Sequence, residues 1–453
     1  MLLRPSAYLA LPLFSIPLLS GCSGLGQGSG FKELSLTAET FSKIDTYYID
    51  SPNYEKLRLG ALSGLSKALP AGSFNVTESQ NRIMIRYSTG ENPDAEKIFT
   101  SPVDKGRALS DVSDAYRLAR QLSPSIDPPR LERAMLKSAV VSLDPDADFL
   151  EPEENVWSVS MGGGIGVEIA IREGKIVVVR PLDDSPARTA GIRPGDRIES
   201  IDDVPVEGRS LVEVVRMLRG PRGSSVRLRI GRDSWPEIRS MTLQRAVVRN
   251  QSVSFRFLQS GIGVISIRSF DSTTARDLDQ ALNEAEARRS PGLILDLRQN
   301  SGGTLNGAVA VAGRFLDPGH LVVYTVGRAR TESRRYLTEG GKPPTKILLV
   351  IIVDRSTQAG AEVLAATMQE EKRAIIVGSR TFGHSIIHGL FSLSDGSAIK
   401  LIVARWFTAS GQSVDGKGLE PNVEVKREPV DYFAIGDIER DTYLQSAVET
   451  LGH

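Results

Sequence analysis

Polar and apolar positions along the chain fall into three zones of different period. In the first, Leu57, Ala61, Leu62, Leu65 and Leu69 recur at three- and four-residue steps, the spacing of one apolar helix face. A second helix is predicted over Ala134 to Leu143, and the stretch 133–144 repeats the pattern of 59–70 as a weak internal duplication. Between them Arg82 to Tyr87 alternates like a strand, and Gly90-Glu91-Asn92-Pro93 marks a turn. The zone from Phe31 to about Val156 is therefore predicted to be mostly helical. From about Gly162 to Val248 strands predominate, with one helix near Ser210 to Leu218.

From Ile262 onward strands and helices alternate. Gly263 to Ile267, Leu293 to Leu297, Ile347 to Val353, Ala374 to Val377 and Ala398 to Ala404 are apolar runs of strand length. Helices are predicted over Ala275 to Ala287, Gly307 to Phe315 and Gln358 to Glu370. That order argues for an α/β layer on a parallel or mixed sheet. Asp441 to Leu451 is a last amphipathic helix. The fold class is thus multidomain, α+β and α/β, with an N-terminal helical region, a β-rich domain and an α/β core.

Composition narrows the function. A chain of 453 residues is long enough for two to four domains. Its 55 Lys+Arg balance 55 Asp+Glu, which argues against a protein built to neutralise phosphate and predicts no nucleic-acid partner. The single cysteine, Cys22, cannot form an internal disulfide or a Cys-rich zinc site. It follows a positive residue, Arg4, and an apolar run from Tyr8 to Leu19 that is too short to span a bilayer. Leu19-Ser20-Gly21-Cys22 resembles the lipobox of bacterial lipoproteins, whose signal is cut before a cysteine that then carries diacylglycerol. Residues 1–21 are read as the signal peptide and 22–30 as a Gly/Ser tether. The expected localisation is periplasmic and membrane-anchored through lipid at Cys22, with Ser23 favouring the outer membrane.

Gly164-Ile165-Gly166-Val167 places glycines before a strand, a backbone arrangement whose amides suit a carboxylate. With Ser185-Pro186-Ala187, the turn Ala190 to Asp196 and a helix ending in LRGPRG, the stretch 160–248 resembles a PDZ domain. The resemblance implies a peptide site at Gly164, Ile165, Gly166 and Val167, completed by Leu211 and Val215 of the helix.

The wider order of motifs resembles the C-terminal processing (tail-specific) serine peptidases. The pieces are Leu143-Asp144-Pro145 through Glu154, the PDZ markers, and Gly292 to Gly303 (GLILDLRQNSGG). Thr381-Phe382-Gly383, Ala404 to Gly411 and Gly418-Leu419-Glu420-Pro421-Asn422 complete the set. Domain limits on this reading are 31–156, 160–248, 250–430 for the peptidase-like core, and 431–453 for the last helix. Family members use a serine nucleophile and a lysine base assisted by a glutamine. Carried over with Glu362 as anchor, the serine position is Ala359, the lysine position His384 and the glutamine position His388. Gly302 and Gly303 keep the oxyanion-type loop. The implied protein is a pseudopeptidase that binds the C-terminal tails of exported proteins as a scaffold or adaptor.

Alternatives remain open. Ser356 or Thr357 could serve as a displaced nucleophile, although Ser/Thr before a helix is usually an N-cap. The chain could also regulate an active paralogue by co-assembly, as a homo- or hetero-oligomer. A metal at His384 and His388 is not expected: on a strand, four residues separate side chains by ~13 Å. A local His384–Ser385 pair is not expected either, because adjacent strand residues face opposite ways. His320 and His453 read as surface residues. No cofactor or metal is predicted.

Overall fold

The computed structural model describes residues 34–79, 82–88, 95–152, 163–172, 174–182, 185–209, 211–246, 252–426 and 438–452. The predicted signal peptide, Cys22, the tether, the turn at Gly90 to Pro93 and His453 lie outside these residues.

The N-terminal region holds helices Ser35–Tyr47, Tyr54–Ala68, Lys105–Leu122 and Pro128–Val141. Asn53 caps the second of them, its side chain accepting from the amides of Glu55 and Lys56. The two helices with similar sequence patterns pack on each other. They meet at Gly60 and Gly64, where an added Cβ would lie 2.7 Å from the Ser138 carbonyl and 2.6 Å from the Ala134 carbonyl. Three strands, β1 (Phe74–Ser79), β2 (Arg82–Tyr87) and β3 (Ala95–Thr100), form an antiparallel meander. β2 has the predicted limits, but the sheet makes the region less helical than its periodicity suggests. β1 and β3 each bury one side chain, Phe74 and Phe99, too few to leave an alternating signature.

This region shares a core with the C-terminal part of the chain. β4 (Asp148–Leu150) pairs with the much later strand Ala398–Thr408, so Phe149 packs in one cluster with Leu57, Leu136, Ile399 and Leu401.

The middle domain contains β5 (Val167–Arg172), β6 (Lys175–Pro181), β7 (Arg197–Ile201), β8 (Val204–Pro205), β9 (Ser225–Gly231) and β10 (Arg239–Gln244). Its sheet runs β10-β9-β7-β6-β5, with β8 on β7. Among the described residues β5 is therefore an edge strand. Helix Leu211–Leu218 lies near that edge and buries Val214 and Leu218 in the domain core.

The last region has two sheets. β11 (Val253–Phe257), β12 (Gly263–Ile267), β13 (Leu293–Asp296), β16 (Leu349–Val353), β17 (Ile375–Gly378) and β20 (Val423–Glu424) form one, parallel from β12 to β20. β13 and β16 are buried on both faces, as their unbroken apolar runs require. The other sheet is antiparallel: β15 (Arg335–Leu337), β14 (Leu321–Gly327), β19 (Ala398–Thr408) and β18 (Ile386–Ser392). The expected helices fall at Thr274–Ala287, Leu305–Ala312 and Gly360–Glu370. β18 escapes sequence reading because none of its residues is fully buried. Helix Thr442–Gly452 buries Tyr443, Leu444 and Ala447 against Val350 and Ile352 of β16.

Arg298 anchors that helix. The residue is 2 % exposed and its guanidinium is forked twice, to Asp296 (2.9 and 2.7 Å) and to Asp441 (2.8 and 2.7 Å). Burial opposes its charge, yet the two carboxylates outweigh burial and hold it protonated above its ordinary range.

Candidate functional site

The first site lies where β16 passes into helix Gly360–Glu370. Asp354 ends the strand and the chain turns through Gln358 to Ala359, which has φ 47° and ψ −114°. An L residue held there stores ~1–3 kcal/mol of strain. Several bonds fix the corner. The Gln358 amide donates to the Asn300 carbonyl (2.9 Å), the Ala359 amide to Glu362 Oε2 (3.0 Å), and the Ala359 carbonyl accepts from Val363 (2.9 Å).

Glu362 is fully buried and joins the site's segments. Besides Ala359, its carboxylate accepts from the Thr381 hydroxyl (2.5 Å), the Gly383 amide (2.7 Å) and the His384 amide (2.8 Å). One carboxylate thus ties the Ala359 corner to the loop that carries His384. In the sequence Glu362 serves only to set the register of the motif; nothing local there reveals its four donors.

Across from Ala359 stand the two glycines. Gly302 has φ 100° and Gly303 φ 132°, conformations that glycine alone tolerates. A Cβ on Gly303 would lie 2.1 Å from the Phe270 carbonyl. The Gly302 amide donates to Asn300 Oδ1 (2.8 Å), and its carbonyl accepts from Phe270 (2.8 Å). The loop is held by its own segment and by the chain just beyond β12, and it presses against the Ala359 corner.

His384 and His388 come together, contrary to the separation expected for a strand. Their ring centroids are 6.0 Å apart, and Phe382 lies 6.0 Å from His384. The reason is that His384 precedes β18, after Gly383 at φ 91°, and the β18–β19 register shifts between Ile387 and His388. The His384 carbonyl accepts from Trp406 Nε1 (3.2 Å). His388 Nε2 stands 3.9 Å from Asp146. Burial first, then the charges of Lys400 and His384, lower its pKa, against the opposing pull of Asp146 and Asp144. Among the described residues no group of three or more His, Cys, Asp or Glu side chains is arranged to hold a metal.

Thr357 is not the helix N-cap; Ala359 occupies that position. The Thr357 hydroxyl is fully buried, 3.0 Å from the Leu297 carbonyl and 3.1 Å from Asp354 Oδ1, and it accepts from the Asp354 amide. Ser356 is partly exposed, with its amide on Asp354. Ser385 is fully buried beside Ser413, their hydroxyls 3.5 Å apart. His320 is near the surface, its Nδ1 3.0 Å from the Asp317 carbonyl.

The second site is the edge of the middle domain. Gly164 is paired with Ala246 in both directions (2.8 and 2.9 Å), so its amide is engaged. The carbonyls of Ile165 and Gly166 accept from Ala187 (2.8 Å) and Leu182 (2.9 Å), while the amides of Ile165 and Gly166 meet no acceptor among the described residues. The nest is therefore two amides wide, with Gly166 at φ 72°. Ile165 itself is buried and anchors the loop in the core. Val167 and Ile169 on β5 are half-buried, as are Leu211 and Val215 on the helix. The Ser-Pro-Ala and Ala-Gly-Ile-Arg-Pro-Gly-Asp segments are structural: Ser185 caps helix Pro186–Thr189, and Asp196 accepts from the Arg193 amide and the Arg232 guanidinium.

Residues 261–425 match the model of peptidase family S41, and residues 177–232 match a PDZ domain. A carboxyl-terminal-processing protease of Synechocystis sp. is 32% identical over 327 residues, covering 70% of this chain and 76% of that protein. The carboxy-terminal processing protease CtpA of Bacillus subtilis is 31% identical over 332 residues, covering 71% of this chain and 69% of its own length. The chain belongs to the carboxy-terminal processing protease family. Among solved structures, a photosystem II D1 C-terminal processing protease matches with TM-score 0.50 and 24% identity, covering 93% of this chain and 97% of that one. That likeness extends the family fold to the N-terminal helical region. In this family member a PDZ domain and an S41 core are joined, as the motifs indicated.

Proposed function

We propose that this family member binds protein C-terminal tails without cutting them, as a scaffold or adaptor. The observation that carries the reading is Ala359. By resemblance it occupies the nucleophile position, and it stands on a strained corner facing the glycine loop with only a methyl group. A methyl has no lone pair to attack a carbonyl. His384 could act as a base, but the Ala359 side chain offers it no hydroxyl to deprotonate. Thr357, one of the two displaced candidates, has its hydroxyl engaged inside the turn. An edge strand, two amides without an acceptor among the described residues and apolar flanks in the PDZ groove support tail binding. The N-terminal sequence supports export and lipid attachment at Cys22, with the protein facing the periplasm from the outer membrane.

The test is incubation of the purified mature chain with unfolded proteins ending in apolar residues, beside a Ser356→Ala/Thr357→Ala variant. Intact substrate in both samples, together with tighter binding of a free-acid tail than of its amide, is expected. Cleavage by the parent chain that vanishes in the variant overturns the reading in favour of a displaced nucleophile.

A further inference from the structure

We propose that Arg219 and Arg222 make the PDZ groove select tails with an acidic side chain next to the terminal carboxylate. This rests on the tail-binding reading and goes beyond it by naming the class of tail.

Both residues belong to the turn that closes helix Leu211–Leu218, and that turn is bolted to the nest. The Gly220 amide donates to the Gly163 carbonyl (3.0 Å), and Gly163 and Gly220 form an isolated antiparallel bridge. Gly163 is packed so closely that an added Cβ would lie 3.0 Å from Arg222 Cα. Two residues further on come the free amides of Ile165 and Gly166. Arg245 makes the turn rigid from beneath. It is 8 % exposed and donates to the carbonyls of Leu218 (3.1 Å), Met217 (2.9 Å) and Ser225 (2.8 Å).

Arg219 and Arg222 themselves are exposed, and among the described residues neither side chain has a hydrogen bond or ion pair. Four other arginines of the domain are matched, Arg180 with Glu168, Arg227 with Asp203, Arg232 with Asp196 and Arg197 with Asp233, and of the cations without an ion pair among the described residues Arg219 and Arg222 are the two on the turn bonded to Gly163. Two unmatched guanidinia on a fixed turn beside the nest create a local positive field. An edge-strand peptide that places its carboxylate on the nest has its last residues within reach of that field. A Glu or Asp there gains a partner, and a Lys there is repelled.

The probe is a set of fluorescent decapeptides sharing one apolar final residue, with Glu, Gln or Lys in the penultimate position, plus the amide of the Gln peptide. Binding to the purified mature chain is followed by anisotropy. The expected order is Glu, then Gln, then Lys, each step about two- to fivefold, the range of exposed ion pairs, and shrinking as salt is raised. In Arg219→Gln/Arg222→Gln the three peptides should bind alike while free acid still exceeds amide. In Arg219→Glu/Arg222→Glu the order should reverse, which a merely structural role of either arginine would not produce. Equal binding of the Glu, Gln and Lys peptides, with the amide still weaker, overturns this proposal and leaves tail binding standing. Equal binding of free acid and amide overturns tail binding and this proposal with it.

Discussion

Gly302 and Ala359 are pressed together so closely that a Cβ on Gly302 would sit 2.7 Å from the Ala359 Cβ. Gly302 also has φ 100°, so a side chain there is opposed by both contact and backbone. Gly302→Ala should lower stability by ~1–3 kcal/mol, read as a shifted urea midpoint with unchanged slope. Gly340→Ala, where an added Cβ meets nothing within 4 Å, is the matched control and should shift the midpoint little.

The Ala359 corner, the glycine loop and the Glu362 clamp allow the proposed lack of cleavage to be tested by supplying reactive groups. Ala359→Ser combined with His384→Lys and His388→Gln should produce cleavage of an unfolded apolar-tailed substrate, seen as new fragments on a gel. Ala359→Ser alone should yield far less. An inert triple variant would mean that the corner does not support acyl transfer.

Glu362 accepts from four donors while fully buried. Glu362→Gln keeps the volume but turns an amide toward donors. Each hydrogen bond to a charged group contributes about 1.5–3 kcal/mol, so a loss of at least that size is expected in chemical denaturation. The same variant should speed proteolysis or hydrogen exchange around Thr381 to His384, because the loop loses its shared acceptor.

Asp441→Asn leaves Arg298 buried with one full carboxylate in place of two. Asp296 still compensates the guanidinium, so the expected cost is that of a lost charge-assisted hydrogen bond, about 1.5–3 kcal/mol. The variant should unfold at lower denaturant, with helix Thr442–Gly452 exchanging its amides first.

His388 has a folded pKa below its unfolded value of ~6.5. The native state therefore favours the neutral ring, and the unfolded state takes up the proton more readily. Stability should be full above pH ~6.5 and should fall as pH drops through that value, levelling off below the folded pKa. His388→Gln should flatten this segment of the stability profile.

Much of the fold was legible in the sequence because its core strands are unbroken apolar runs. Leu349–Val353 is buried at every residue, and the helix face of Leu57, Ala61, Leu62 and Leu65 is buried as its spacing indicated. β1, β3 and β18 were hidden because each offers too few core side chains to write a period. At the site, Gly302, Gly303 and Ala359 could be singled out from local motifs. The proximity of His384 to His388 could not, since it depends on Gly383 and a register shift that only the paired strand reveals. Glu362 and Arg298 were equally illegible as clamps. Arg298 meets Asp441 across 143 residues, and no local pattern encodes such a meeting.

That distant meeting makes the closure of one sheet face depend on a segment far along the sequence. Without the segment around Asp441, Arg298 keeps only one of its two carboxylates, and β13 and β16 lack the cover that Tyr443, Leu444 and Ala447 provide. Closing this face of the core therefore requires residues 441–447 to be in place. A short helix remote in sequence from the strands it covers thus serves as the bolt of that core.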